Sequence, residues 1–515
     1  MMDVFFLNPS NWLRKSRRPI RSNPCPTSTS TSAPANTLVG YVTLEQVRKS
    51  QEGTLGFGAK EIERIEEDAL AVEKCFAQFR AQQTTHGGKV TAKDKQELRR
   101  RLQKLDAQLD RYLAGEYGIA ADTSKSKAAY EDGFAAWKES HEPFHWFVEF
   151  YGIMAKGGFD VIIGNPPYVN LRKVHYDVGP MGYATTTAGD LFALTIERAF
   201  QILGQPGRFG LIVPLSVTST PTMRPAKMLL SAKTDLLWAS YYSASDQPAS
   251  LFTGVRHRLC VLVGRHGALP GCHLFTTRFL KWFADERPAL FQSFIEYVAA
   301  PSDGAGSFPK VSSEAELVLV KKLLRFDTLG AAATKSGQRV YYHNAPVHWG
   351  KVFDFVPMFR VGSGKSTQSS HVKEILFRSR DEADFAICLL NSSLFYWFNW
   401  NFSNCRDLSS ADVGRAPAGL GPCQNAELRV FVRLRKTLME DYKAHKKIYR
   451  RISNGVPTEF DSFYPMFSKH VLDEIDSALA GHFNLTNEEL DHITHYDLKY
   501  RFGKGMNEDE EEEEQ

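Results

Sequence analysis

The stretch Phe159-Asp160-Val161-Ile162-Ile163-Gly164-Asn165-Pro166-Pro167-Tyr168 constrains this chain more than any other. An apolar run of strand character ends in two consecutive prolines. Proline has no N–H for a sheet ladder and fixes its own φ, so a buried strand cannot run through it. The residue before each proline is pushed toward an extended conformation. The pattern therefore predicts a stiff shelf at the carboxyl end of a strand, which is where open α/β sheets place their ligand sites. The shelf carries an amide at Asn165, a carbonyl with no competing N–H at Pro166 and an aromatic face at Tyr168.

The segment after the shelf has βαβ rhythm. Residues 189–203 carry Leu191, Leu194, Ala199, Ile202 and Leu203 at helical spacing, with Asp190 near the start to suit the helix dipole. Gly204-Gln205-Pro206-Gly207 reads as a turn, and residues 208–214 as a buried strand. Residues 236–242 and 259–263 have strand character as well. Strand, helix and strand in this order predict a parallel sheet.

The rest of the chain reads differently. Residues 1–36 are rich in Ser, Thr, Pro and Asn, and 1–43 is expected to be a disordered tail. The basic run Leu13-Arg14-Lys15-Ser16-Arg17-Arg18 lacks the apolar core of a signal segment and reads as a mis-set start or an untidy tail, with a transit peptide as the alternative. From 44 to 140 the pattern is helical. Ile62, Ile65, Ala69, Val72 and Phe76 recur at three- and four-residue steps. After a break at His86-Gly87-Gly88, so do Leu98, Leu102, Leu105, Leu109 and Leu113. This predicts a helical hairpin or short antiparallel coiled coil, with Arg99, Arg100 and Arg101 on a solvated face. Residues 141–150 are dense in aromatics, and His145 is expected to be a core or interface histidine. Beyond about residue 271 the βα rhythm gives way to short strands, loops and, from 431 to 506, helices. Two glycine-rich stretches, Gly56-Phe57-Gly58 and Gly362-Ser363-Gly364-Lys365-Ser366, lack the context of a nucleotide loop. Position 359 is Phe359 where a phosphate loop requires glycine.

Bulk properties narrow the partners. The net charge is +4, yet residues 508–514 supply seven carboxylates, so the remainder carries about +11. A basic body suits a polyanion. The cysteines (Cys25, Cys75, Cys260, Cys272, Cys388, Cys405 and Cys423) form no C-x-x-C pair. They argue for a reducing, cytoplasmic setting and against a zinc site or disulfide framework. No apolar run approaches the roughly 20 residues of a membrane helix, so no membrane partner is expected.

The shelf suits one chemistry well. An exocyclic amine on a nucleobase is a poor nucleophile because its lone pair is delocalised into the ring. Two acceptors, a side-chain amide oxygen and an adjacent carbonyl, hold both N–H bonds and favour a pyramidal nitrogen. They then stabilise the positive charge that develops there. An aromatic neighbour stacks on an extruded base. Asn165, Pro166 and Tyr168 offer these three functions within four residues.

At this point the chain resembles the adenine-specific DNA methyltransferases of restriction–modification systems and phage defence, whose (D/N/S)-P-P-(Y/F/W) hallmark stands here as Asn165 to Tyr168. Residues 143–147, 189–199, 207–214 and 391–398, with Arg406-Asp407-Leu408, are also similar to large enzymes that fuse methyltransferase and target-recognition parts. The resemblance implies an α/β fold: a partial Rossmann-like methyltransferase sheet, a helical insertion and an α+β target-recognition domain. It implies a tail over 1–43, the insertion over 44–140, the catalytic half over 141–268, the recognition region over 269–430, a helical region over 431–506 and an acidic tail over 507–515. It further implies double-stranded DNA as substrate, S-adenosylmethionine as methyl donor, Asn165, Pro166 and Tyr168 as catalytic residues, Asn165 and Pro167 beside the donor, and Phe252 against the extruded adenine. An ordinary core role for Phe252 stands beside that reading.

One departure matters. The family carries a glycine-rich donor loop and acidic residues for the donor ribose before the shelf, and residues 1–158 show neither. The expectation is therefore an adenine N6-methyltransferase that needs its cofactor half from a separate polypeptide or a longer chain. The alternatives are a catalytically inactive DNA-recognition subunit or remnant, and a methyltransferase of protein glutamine or RNA. No nuclease motif is visible.

Overall fold

In the computed structural model, the described residues are 4–7, 36–50, 59–85, 92–119, 126–244, 249–252, 255–267, 271–293, 295–301, 308–345, 348–362, 364, 366–420, 428–453 and 455–502. Gly56-Phe57-Gly58, His86-Gly87-Gly88, Ser363, Lys365 and the acidic run 508–514 lie outside them. The chain divides into two compact units. Unit 1 comprises 1–213, 221–237 and 262–272; unit 2 comprises 214–220, 238–261 and 273–515.

Unit 1 opens with strand β1 (Val4–Leu7), then helices α1 (Leu44–Ser50), α2 (Ala59–Thr85), α3 (Ala92–Glu116) and α4 (Lys127–His141). The predicted hairpin is present. Lys104 of α3 bonds Asp68 of α2 at 2.8 Å, and Cys75 lies among Asp94, Glu97 and Arg101, so residue numbers fall along one helix as they rise along the other. All five α3 leucines are buried, as are Ile62, Ile65, Ala69 and Val72. Burial of each leucine contributes roughly 1.5–3 kcal/mol, which is what holds so polar a pair of helices together. Arg100 and Arg101 instead pair with Glu97 on the exposed face.

Residues 36–43 correct the expectation of a disordered tail. Leu38, Val39, Tyr41 and Val42 are buried. The Phe144 N–H donates to Val39 O at 2.7 Å. Gly40 sits at φ +132°, where a Cβ would stand 2.2 Å from Phe144 O, so only glycine fits that close approach. Residues 4–7 also differ from the expectation: β1 pairs antiparallel with the shelf strand, Val4 opposite Gly164 and Leu7 opposite Val161. The low-complexity composition between these two segments hid the short apolar runs on either side of it. His145 is a core histidine, as expected. Its Nδ1 accepts the Tyr41 N–H at 3.2 Å, so Nε2 carries the hydrogen and donates to Asp110 at 3.3 Å.

The strand that bears the shelf is β2 (Phe159–Gly164). It runs parallel to β3 (Leu203–Pro214), with helix α5 (Leu191–Ile202) between them in sequence. Strands β4 (Thr234–Tyr242) and β5 (Leu259–His266) come next, and helix α6 (Arg224–Lys233) lies between β3 and β4 in sequence. Through residues 234–237 and 262–266, which belong to this unit, the order is β1-β2-β3-β5-β4. The βαβ expectation holds, with two differences. The turn at 204–207 is absorbed into β3 as an irregularity, because pairing jumps from Phe159–Leu203 to Val161–Arg208. Helix α5 is buried almost all round, including Thr195 and Arg198, so it is a core helix and not a surface one.

Unit 2 contains three strand groups. β6 (His273–Leu280) pairs antiparallel with β7 (Val298–Ala300). Among β8 (Ala333–Thr334), β9 (Gln338–His343), β10 (Val352–Phe353), β11 (Phe359–Val361) and β12 (Val372–Phe377), four form a sheet of order β10-β9-β12-β8. The fifth, β11, joins β13 (Lys447–Ser453) and β14 (Val456–Ser462) in a sheet of order β11-β14-β13. Its main helices are α7 (Glu314–Leu323), α8 (Arg380–Asn391), α9 (Ser393–Phe402), α10 (Arg429–His445), α11 (Lys469–His482) and α12 (Asn487–His495). The region expected to be helical from 431 to 506 thus also holds the β13–β14 hairpin. Residues 447–452 do not alternate; the strand is set by its pairing with β14, from Lys447 opposite Ser462 to Ser453 opposite Val456, which the sequence pattern did not announce. Among the described residues, no helix is long and apolar enough to cross a membrane.

The α8–α9 junction shows how unit 2 handles buried polarity. Asn391 accepts from Val352 N–H at 3.1 Å and donates to Val352 O at 2.9 Å. Asp476 of α11 accepts the N–H groups of Ser393 and Leu394, both at 3.2 Å, and so caps α9 from a distance. Burial pushes the Asp476 carboxyl up to about 6, despite the hydrogen bonds from Ser393. With its pKa raised on folding, the folded chain holds more protons than the unfolded one from about pH 4 to about 6, so this group's contribution to stability is lost as pH rises through that window. Asp476→Asn is expected to flatten that loss, measured by urea unfolding across the same pH range; an unchanged pH slope would contradict it.

Candidate functional site

The shelf forms where β2 runs out of ladder. Phe159, Ile162 and Gly164 are buried, Asn165 is exposed, and Pro166 is buried again. Two prolines prevent further pairing, and the chain leaves the sheet extended from 165 to 169. It is then fastened at two points. The first is Tyr168, whose hydroxyl lies 2.7 Å from Asn165 Oδ1 and 2.9 Å from Ile212 O on the neighbouring strand β3. The second is a two-bond clasp to the turn before α5. Leu171 N–H donates to Gly189 O at 2.8 Å, and Leu191 N–H donates to Val169 O at 2.9 Å. Asp190 lies in the same clasp, and burial raises its carboxyl pKa although Asn170 hydrogen-bonds it.

The Tyr168 ring is fixed by this arrangement. It meets Phe192 of α5 edge-on, with centroids 6.5 Å apart and planes at 88°. Its hydroxyl has one hydrogen for two oxygen neighbours. Ile212 O and Asn165 Oδ1 are both acceptors, so the hydroxyl hydrogen is shared between them. The structure therefore brings together Asn165, Pro166, Pro167 and Tyr168, as contiguity demands, and adds Ile212 and Phe192, which sequence reasoning missed. The signal for Phe192 was its place on the apolar face of α5; a backbone carbonyl such as Ile212 O leaves no mark in sequence. Phe252 belongs to unit 2, in a loop after β4. It is 40% exposed, so it is not an ordinary core phenylalanine, and its carbonyl accepts from Ser250 and Val255.

Beneath the shelf, between β2 and α5, lies a cavity of about 110 Å³ lined by Trp146, Ile162, Pro166, Arg198 and Leu211 among others. Arg198 is 3% exposed and donates to Leu38 O at 2.9 Å and Gly40 O at 3.0 Å; its Nε has no partner among the described residues. Among the described residues, no carboxylate lines this cavity. The methyl donor implied by the resemblance carries a cationic sulfonium and ribose hydroxyls that call for one. The described residues that line this cavity do not complete a site for that donor. Tyr168→Phe keeps the ring and removes the fastening to Ile212, at an expected cost of about 1 kcal/mol in urea unfolding; a variant as stable as the parent would show that the hydroxyl does not fasten the shelf.

Residues 74–245, which include the shelf, match the model of the Eco57I restriction-modification methylase family. A protein of Methanocaldococcus jannaschii named as a putative type II restriction enzyme and methyltransferase, RM.MjaORFECS2P, is 40% identical over 78 residues. That alignment spans 15% of this chain and 6% of the relative's length. Among solved structures, a nuclease-deletion mutant of the Type ISP restriction-modification enzyme LlaGI in complex with a DNA substrate mimic aligns at TM-score 0.27 and 10% identity, over 56% of this chain and 26% of that one. The type IIG restriction endonuclease BpuSI aligns at TM-score 0.24 and 10% identity, over 88% and 76%. Through the segment that builds and carries the shelf, this chain is similar to the restriction-modification methylases of the Eco57I family.

Proposed function

We propose that this chain is the target-base half of a DNA adenine N6-methyltransferase. The observation that carries the reading is the fastening of Tyr168 to both Asn165 and Ile212 O at the end of β2. Asn165 Oδ1 accepts from the Tyr168 hydroxyl at 2.7 Å, which holds the amide in place and leaves that oxygen a second lone pair. Asn165 Oδ1 and the Pro166 carbonyl then accept the two N–H bonds of an adenine amine. That localises the nitrogen lone pair and stabilises the charge that develops as the nitrogen gains a methyl group. The Tyr168 ring, immobilised at its far end, offers a face for the extruded base. Positioning for in-line displacement supplies most of what such a transfer requires. Pro167, with Asn165, is assigned to the donor side.

The donor in this reading is S-adenosylmethionine. In this reading the rest of its site is assigned to a separate polypeptide or elsewhere in a longer chain. Duplex DNA as substrate is supported by the basic body of the chain and by the match of residues 74–245 to a restriction-modification methylase. The corresponding setting is a restriction–modification system active in phage defence.

The test is transfer of a labelled methyl group to duplex DNA, to RNA and to a glutamine-bearing peptide, with and without the polypeptide encoded upstream. DNA adenine should be labelled. Asn165→Ala and Tyr168→Ala should each reduce the rate by at least about 10²-fold while DNA binding survives. Full activity in either variant would refute the assigned roles, and labelling of the peptide or RNA with DNA inert would reassign the substrate. No methylation in any combination would favour an inactive recognition subunit. DNA binding itself is expected to fall steeply with added salt, because phosphate contacts release counterions; a flat salt response in a filter-binding assay would count against a DNA partner.

A further inference from the structure

Unit 2 contains a cavity of about 320 Å³ between its two smaller sheets, at the low end of the range of about 300–1,000 Å³ typical of small-molecule sites. Its walls combine three features. Phe359, Phe460 and Tyr464 contribute aromatic surface. Lys351 and Arg451 bring positive charge, and Lys447 stands over the Tyr464 ring at 5.1 Å. Asp461 is the carboxylate in the lining, and it is already committed: it accepts the Met358 N–H at 3.1 Å and Lys446 Nζ at 2.9 Å. The described lining thus holds two basic side chains and one carboxylate.

A third feature points to a ligand edge with hydrogen-bonding groups. His348 lines the cavity and is 8% exposed, and its Nδ1 has no partner among the described residues. A buried polar atom left without a partner costs about 1–3 kcal/mol, so such atoms usually mark a site filled by water or ligand. His343, stacked on His371 at 5.6 Å, also faces the cavity. Its Nδ1 accepts the Ala345 N–H at 3.3 Å, which leaves Nε2–H as a donor. Burial holds both histidines far below the usual imidazole range, His343 at about 4, so they meet a ligand as neutral dipoles.

Aromatic walls and neutral hydrogen-bonding edges match the base of a nucleotide, and the basic side chains match its phosphate. Every base has a π face for stacking, and its phosphate is recognised by lysine and arginine. We propose that this cavity of unit 2 is a nucleotide-binding site, with the base among Phe359, Phe460 and Tyr464 and the phosphate at Lys351 and Arg451. The same chemistry is presented by a free mononucleotide and by one nucleotide of a strand. The assignment stands independently of the methyl-transfer reading, since it uses no residue of the shelf.

The test is a calorimetric titration of the full chain with 2′-deoxynucleoside 5′-monophosphates, the corresponding nucleosides and a short single-stranded oligonucleotide. Two variants are compared. Lys351→Gln with Arg451→Gln removes charge at partly exposed positions, and Ala345→Phe fills the cavity without touching a charge. Monophosphates should bind at least about tenfold more tightly than nucleosides, and each variant should weaken them at least about tenfold. Those losses confined to the oligonucleotide would identify the source as a strand, and losses with monophosphates would identify a free nucleotide. The proposal is overturned if no probe binds at millimolar concentration, if nucleosides bind as tightly as monophosphates, or if Ala345→Phe leaves binding unchanged, which would place the contacts on the outer surface.

Discussion

Two prolines at the end of one strand set the terms for the rest of unit 1. Because Pro166 and Pro167 cannot donate to a ladder, β2 must stop, and the chain beyond it must find its anchors elsewhere. It finds them in a carbonyl of β3 and in the turn before α5. Both anchors are useful only if β3 lies parallel to β2 and α5 covers them, which the βαβ arrangement provides. The near-complete burial of α5 reflects the same need, since this helix carries Phe192 against the Tyr168 ring and Arg198 beneath the shelf. Site and scaffold are one set of contacts here.

The legible part of the sequence was whatever leaves a periodic or a covalent trace. The α2–α3 hairpin announced itself through five leucines at three- and four-residue steps, and all five are buried. The strand–shelf–helix–strand order came from apolar runs punctuated by proline and glycine. The hidden part depends on contacts distant in sequence. The strap at 36–43 is short, flanked by low-complexity sequence, and held by Arg198 and Tyr183, which lie about 160 and 145 positions away. The β13–β14 hairpin comes one residue after a helix, and Ile448 and Ile452 stand four apart as on a helix face, so periodicity carried the helix on into it. Ile212 acts through its backbone and is invisible to any reading of side chains.

Unit 2, like unit 1, buries charged groups. Lys281, Asp476, Asp497 and Arg501 are all deeply buried. Lys281 pairs with Asp497 at 3.1 Å and lies 4.0 Å from the Trp400 ring centroid, and Arg501 stacks 3.8 Å from that of Trp349. Buried charges of this kind contribute little net stability, but removing one partner leaves the other stranded at a cost of several kcal/mol. A core wired in this way tolerates few substitutions at its charged positions, so sequence change in unit 2 should concentrate on its surface and in the strands of its smaller sheets.

The strap at 36–43 has a practical consequence. A shortened chain that starts where the helical pattern begins, at Leu44, looks reasonable on periodicity alone. Such a chain would lack the Leu38 and Gly40 carbonyls, stranding the Arg198 guanidinium in the interior of α5. It would also lack the apolar residues that cover His145 and Tyr183. The penalty would appear as poor recovery of folded protein, directly under the shelf and without any change to the shelf residues themselves. The strap is thus part of the folded unit, as is β1, which pairs with the shelf strand.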